Sequence, residues 1–214
     1  MRTEAMQKIT VGMLIYDNVD VLDFTGPYEV FNVTRLKEKP EFADPSPFKI
    51  LLISEYPRPI TAMGGMKVIP DYTFEDCPEL DILIVPGGLG ERNEHSNHVI
   101  LHFLRARARQ VKTLASVCTG AFFFGMAGLL DNRRATTHFL SLKRMRDLFP
   151  GVNVVEDENI IEDGNIFTSS GISTGIDMAL RVVAKHLGED TARLTALEME
   201  YPYPESNKRK VSIK

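Results

Sequence analysis

Val111-Lys112-Thr113-Leu114-Ala115-Ser116-Val117-Cys118-Thr119-Gly120 is the stretch whose reading decides the fold. Residues 111–117 alternate and carry β-branched side chains, a strand pattern. Residues 119–130 are rich in Ala, Phe, Met and Leu at helical spacing. Cys118 therefore stands where a strand becomes a helix, with Ser116 and Gly120 two residues to either side. Small neighbours allow the strained bend that lifts a nucleophile to the top of a sheet. The N–H groups and positive dipole end of the following helix favour a thiolate over a thiol. The competing reading is a small buried apolar residue, as free cysteines often are. The elbow setting favours the reactive one.

Outward from this point, strands and helices alternate. Residues 9–16, 48–54 and 81–85 read as buried strands, with 60–74 a hairpin or flap centred on Gly64-Gly65. Asp23-Phe24-Thr25-Gly26-Pro27 opens a helix reaching about Leu36, with Asp23 or Thr25 as its cap and Pro27 in its first turn. Further helices are expected over 98–109, 141–149, 171–187 and 190–200. Short strands are expected at 134–137 and on either side of a tight turn at Asp163-Gly164 within 153–168. Repeated β-then-α order implies a mainly parallel sheet covered on both faces. No repeat or linker interrupts it, and residues 37–47 read as a polar, Pro-containing loop.

Length and composition suit one α/β domain over residues 9–203, with an N-terminal tail at 1–8 and a basic, solvated tail at 204–214. Among the 214 residues 43% are hydrophobic, enough for a substantial core, and a net charge of −4 gives no electrostatic footprint for nucleic acid. Cys77 and Cys118 form no metal spacing and no disulfide framework, which suits a reducing, cytoplasmic setting. The polar start and the short apolar run after it resemble neither a signal peptide nor a membrane span.

Chemistry in open α/β sheets collects beyond the carboxyl ends of strands. Three segments fall there: residues 19–27, 86–90 and Cys118-Thr119. Asp23 can hydrogen-bond the sulfur or shuttle a proton, or it can simply cap a helix. Gly87 and Gly88 would let backbone N–H groups approach a reacting atom and, with the Thr119 N–H, form an oxyanion-type pocket; a plain turn is the competing reading. Neither this cluster nor Gly171-Ile172-Ser173-Thr174-Gly175 is a phosphate loop. His138 ends a strand near the elbow and could complete a Cys–His dyad, whereas the other four histidines read as solvated. Cys77 reads as structural.

The segments Val117-Cys118-Thr119-Gly120-Ala121, Ala127-Gly128-Leu129-Leu130 and Arg134-Ala135-Thr136-Thr137-His138 resemble the ThiJ/PfpI superfamily, of class I glutamine amidotransferase-like fold. Leu22-Asp23-Phe24-Thr25-Gly26-Pro27 and Ile84-Val85-Pro86-Gly87-Gly88 are similar to its isocyanide (isonitrile) hydratase branch. The resemblance spans about residues 9–201. It implies a flavodoxin-like three-layer sandwich, a homodimer, a nucleophilic Cys118, Asp23 as the acid beside the sulfur, a contribution from Thr119, and Gly88 donating to an anion pocket. Phe122-Phe123-Phe124 and Phe139 depart from the branch and are expected to reshape the pocket. Asp23 in place of Glu, and Thr119 in place of His, disfavour glyoxal and proteolytic chemistry.

The resulting expectation is covalent hydration of a small isocyanide to an N-substituted formamide, with no metal or organic cofactor, no nucleic acid and no membrane partner. The alternatives are a redox or stress sensor, because exposed low-pKa cysteines oxidise readily, and a ligand-sensing domain like those of AraC-type regulators. The latter needs about a hundred further residues for its DNA-binding part.

Overall fold

The computed structural model describes residues 7–36 and 44–209. The chain enters the sheet through an inner strand, β1 (Ile9–Leu14), whose last four residues are buried, as expected for a strand covered on both faces. The chain then passes through helix α1 (Val21–Val33), strand β2 (Phe48–Ser54), short strands β3 (Ile60–Thr61), β4 (Lys67–Val68) and β5 (Tyr72–Thr73), and strand β6 (Ile82–Val85). Helices α2 (Glu91–Glu94) and α3 (His98–Ala108) precede β7 (Thr113–Ser116) and α4 (Ala121–Met126). Next come β8 (Arg134–Ala135), α5 (Leu142–Leu148), β9 (Asn153–Val154), β10 (Ile160–Asp163), β11 (Ile166–Ser169), α6 (Thr174–Leu187) and α7 (Glu189–Glu198).

The main sheet has seven strands in the order β10-β11-β7-β6-β1-β2-β5. Within this sheet, among the described residues, only the β10–β11 pair is antiparallel. From β1 the chain steps one way to β2, and from β6 it steps the other way to β7, so right-handed crossovers put α1 and α3 on opposite faces. The helices α1, α6 and α7 pack together, and α3 packs with α4. The result is the expected flavodoxin-like sandwich. The strand order reverses between β1 and β6, and the loops leaving these two strands and β7 all open at one edge, the place where such sheets bind ligands.

Several local expectations need correction. The first helix begins at Val21 under an Asp20 cap, whose carboxylate accepts from the Leu22 N–H at 3.2 Å. Asp23 and Thr25 are therefore inside the helix, and Pro27 is in its middle, where it withholds a donor from the Asp23 carbonyl. The helix ends at Val33 rather than Leu36. The elbow helix stops at Met126, and α6 starts at Thr174, three residues later than Gly171. Within 60–74 the β3–β4 hairpin does form around Gly64 and Gly65. Most of the loop expected at 37–47 lies outside the described residues.

The basic C-terminal segment is not a solvated tail as far as Arg209. The Asn207 carbonyl accepts from the Asn159 N–H at 2.8 Å, and the Asn207 amide bonds both to Glu158 at 2.7 Å and to the Ile160 carbonyl at 2.8 Å. An edge strand such as β10 presents unpaired backbone groups, and this segment satisfies them.

Candidate active site

The elbow is a strained backbone held in place by its neighbours. Cys118 has φ +57°, a left-handed conformation unusual for a side-chain-bearing residue. Its N–H donates to the Ser170 carbonyl at 3.1 Å, and its own carbonyl accepts from the Thr137 hydroxyl at 2.7 Å. Gly120 makes the bend possible, because a Cβ there would lie 2.1 Å from the Val85 carbonyl oxygen. The loop after β6 therefore packs directly beneath the turn after β7.

Asp23 reaches the elbow from α1 and is completely buried. One carboxyl oxygen, Oδ2, accepts from the Gly87 N–H at 2.9 Å. The other, Oδ1, has no hydrogen-bond partner among the described residues, and the Cys118 thiol lies close to the carboxyl. Burial, reinforced by the Asp20 charge, raises the Asp23 pKa to about 8 against the pull of Gly87 and the sulfur. The carboxyl is therefore protonated at neutral pH. Burial likewise pushes the Cys118 thiol up, and the Asp23 charge adds to it. The nearby N–H groups of Thr119 and Ile172 pull the other way. The thiolate expected from helix position alone is thus outweighed by desolvation: the elbow donors are present, but the site is too dry for a free thiolate.

The two glycines divide their labour differently from the expected anion pocket. The Gly87 N–H is committed to Asp23, and the Gly88 N–H donates to the Thr119 hydroxyl at 3.1 Å. A Cβ on Gly87 would fall 2.5 Å from the Thr119 nitrogen, and Gly88 adopts φ +126°. Both positions thus let two loops touch rather than leaving a bare oxyanion hole. Thr119 is half-buried between them.

His138 stands at the mouth. Its ring packs against Gly171 and lies 4.7 Å from the Phe139 ring, and among the described residues it makes no hydrogen bond to Cys118. Burial, and then the Arg209 charge, keep it below the usual imidazole pKa, so it is neutral at pH 7. Two further histidines are less solvated than expected: His186 bonds the Thr113 hydroxyl at 2.9 Å, and His95 bonds the Glu91 carbonyl at 2.9 Å. Cys77 is half-buried, away from the elbow, with its thiol donating to the Pro78 carbonyl at 3.4 Å. Phe122, Phe123 and Phe124 face the core; only Phe139 lines the pocket.

Ile172 is a neighbour of the sulfur that sequence reading missed. It precedes α6 with φ +26°, and its N–H reaches the sulfur from a segment more than fifty residues downstream. A hydrophobic residue contributing only its backbone leaves no motif.

Residues 9–185 match the profile of the DJ-1/PfpI family. The chain belongs to that family. It is 38% identical over 194 residues to the isonitrile hydratase of Pseudomonas putida, covering 90% of this chain and 78% of that one. It is 30% identical over 182 residues to the transcriptional regulator GbdR of Pseudomonas aeruginosa, covering 85% of this chain but only 47% of the regulator. Among solved structures, a ThiJ/PfpI family protein from Pseudomonas syringae superposes with TM-score 0.81 at 29% identity, covering 94% of this chain and 79% of that one. Among the described residues of this DJ-1/PfpI chain, no helix is long and apolar enough to cross a membrane, and no cluster of three or more His, Cys, Asp or Glu side chains is placed to hold a metal.

Proposed function

We infer that the chain is a cysteine-dependent hydratase that converts a small isocyanide into an N-substituted formamide. The observation that carries this reading is the Cys118–Asp23 pair: a strained nucleophile facing a buried carboxyl that holds its proton at neutral pH. The likeness to isonitrile hydratase supports the substrate class.

The pair loses its first proton near the Asp23 pKa of about 8 and keeps one, shared between Oδ1 and the sulfur. Sulfur adds to the terminal isocyanide carbon as thiolate, with the Thr119 and Ile172 N–H groups stabilising its charge. The shared proton passes through Asp23 to that same carbon. A C–S and a C–H bond have formed, and the product is a thioimidate. Water then adds to the thioimidate carbon, one of its protons going to nitrogen and the other returning to the pair. The C–S bond breaks and the formamide leaves. One hard addition of water is replaced by two easier steps.

Incubation with a small alkyl isocyanide should yield the formamide, with a sulfur-bound adduct on Cys118 detectable by mass spectrometry. Absence of both overturns the reading. The likeness to a transcriptional regulator favours one alternative, ligand sensing without turnover, in which a binder is released unchanged. The same proposal includes a homodimer, which light scattering at micromolar concentration tests, and a reducing cytoplasmic setting in which both cysteines remain thiols.

A further inference from the structure

Beyond the elbow lies a cavity of about 240 Å³ whose walls include Leu22, His138, Phe139, Ile172 and Arg209. Two of these tie it to the reacting atoms. Leu22 adjoins Asp23 in the chain, and the Ile172 N–H lies close enough to the Cys118 sulfur to lower its pKa. The rest of the wall is mixed: Phe139 is apolar, Asn159, Ser170, Ser173 and Thr174 are neutral and polar, and the C-terminal segment delivers Arg209.

The Arg209 side chain is anchored firmly. Its Nε donates to the Glu156 carbonyl at 2.5 Å, and its Nη2 donates to the Thr136 hydroxyl at 2.8 Å and the Thr137 carbonyl at 3.3 Å. All three acceptors are neutral. Among the described residues Arg209 forms no ion pair, and its Nη1 has no protein acceptor. Asp157 is near enough to be felt and accepts from the Arg209 backbone N–H at 2.7 Å through its carbonyl, while its carboxylate is not bonded to the guanidinium. Asp20 is the other charge facing this mouth, on the His138 side. A half-buried guanidinium held by neutral groups, with one nitrogen unengaged, is suited to an incoming carboxylate.

We propose that this cavity is a subsite for an anionic substituent, with Arg209 as its anion-binding residue, so that the preferred substrate is a small carboxylate-bearing molecule whose electrophilic carbon meets Cys118. The proposal rests on Cys118 as the nucleophile of the preceding section, but not on hydration of isocyanides.

Iodoacetate and iodoacetamide test it, since both transfer an alkyl group to sulfur with loss of iodide and differ in charge. In a Cys77→Ala background, the rate of Cys118 labelling by each reagent is measured by mass spectrometry for Arg209, Arg209→Met and Arg209→Lys proteins. Replacement by Met should lower the iodoacetate-to-iodoacetamide rate ratio about fivefold, the scale of a charge-assisted contact at a half-exposed site. Lys should fall between, and the iodoacetamide rate should stay within about twofold. An unchanged ratio, equal slowing of both reagents, or no labelling of the parent by iodoacetate overturns the proposal. A protein that fails to hydrate isocyanides yet shows the charge preference would remove the hydratase reading and leave this one standing.

Discussion

Two carboxyl groups in this molecule are equally hidden from water and are partnered in opposite ways. Asp23 and Glu91 are each completely buried. Glu91 is gripped by Arg144 through two parallel bonds, of 2.9 and 2.7 Å, and the guanidinium lies 3.9 Å above the Phe122 ring. Asp23 meets one backbone N–H and a sulfur, and no cation among the described residues contributes to its pKa. Burial by itself therefore does not decide what an acid does. At Glu91 a forked cation takes both carboxyl oxygens into a structural pair, whereas at Asp23, with no such partner, burial keeps a proton on the carboxyl.

Removing the reaction partner should produce the largest effect. Cys118→Ala should abolish formamide production while circular dichroism and the melting temperature remain near parental. Cys77→Ala should retain most activity. Loss of turnover in a folded Cys77→Ala protein would place the nucleophile elsewhere.

Asp23→Asn comes next. The amide oxygen can keep the Gly87 bond, so the fold should persist, but no carboxyl proton remains. Turnover should fall at least ~100-fold, the scale of a lost proton-transfer group. Near-parental turnover would reduce Asp23 to a packing residue and erase its contrast with Glu91.

The pH dependence sharpens the same contrast. An unfolded Asp titrates near 3.8, while the folded Asp23 holds its proton up to about 8. Between these values the unfolded chain binds fewer protons than the native one, so the Asp23 contribution to stability falls as pH rises through this window. Urea unfolding at several pH values should show that downward slope in the parent and a shallower one in Asp23→Asn. In the parent, kcat/KM should rise through about pH 8, where the pair sheds its first proton.

Glu91→Gln should leave turnover within a few-fold and act on stability. Breaking a buried pair commonly costs ~3–5 kcal/mol, and because Arg144 keeps a quarter of its side chain in water, about 2 kcal/mol is expected here. A measured loss of activity larger than the loss of stability would bring Glu91 into the chemistry.

Much of this arrangement was legible in the chain. The strand-to-helix change at Cys118 and the alternation of β and α segments are local patterns, read from hydrophobic period and small residues. Cys118 and Asp23 were both nameable as candidates because each is a chemical group on a short, distinctive motif. The cap was misread at Asp23 because Asp20 and Asp23 are equally good capping residues in sequence, and only the packing of α1 against the elbow decides which starts the helix. The Glu91–Arg144 pair was not legible at all, since its partners are 53 positions apart on surface-like helices.

By itself the sequence determined the parts: a sheet with crossover helices, a bend carrying sulfur, and an acid within one turn of the first helix. Hydrophobic period and residue size act over a few neighbours, so these features need no distant partner. Only the tertiary structure decided the electrostatics. It placed Asp23 where water and cations are excluded, turned the Gly87 N–H toward it, brought the Ile172 N–H to the sulfur, and laid Arg209 across the pocket. Each of these depends on groups distant in the chain meeting in a medium of low polarity, where the presence or absence of a single partner sets the charge.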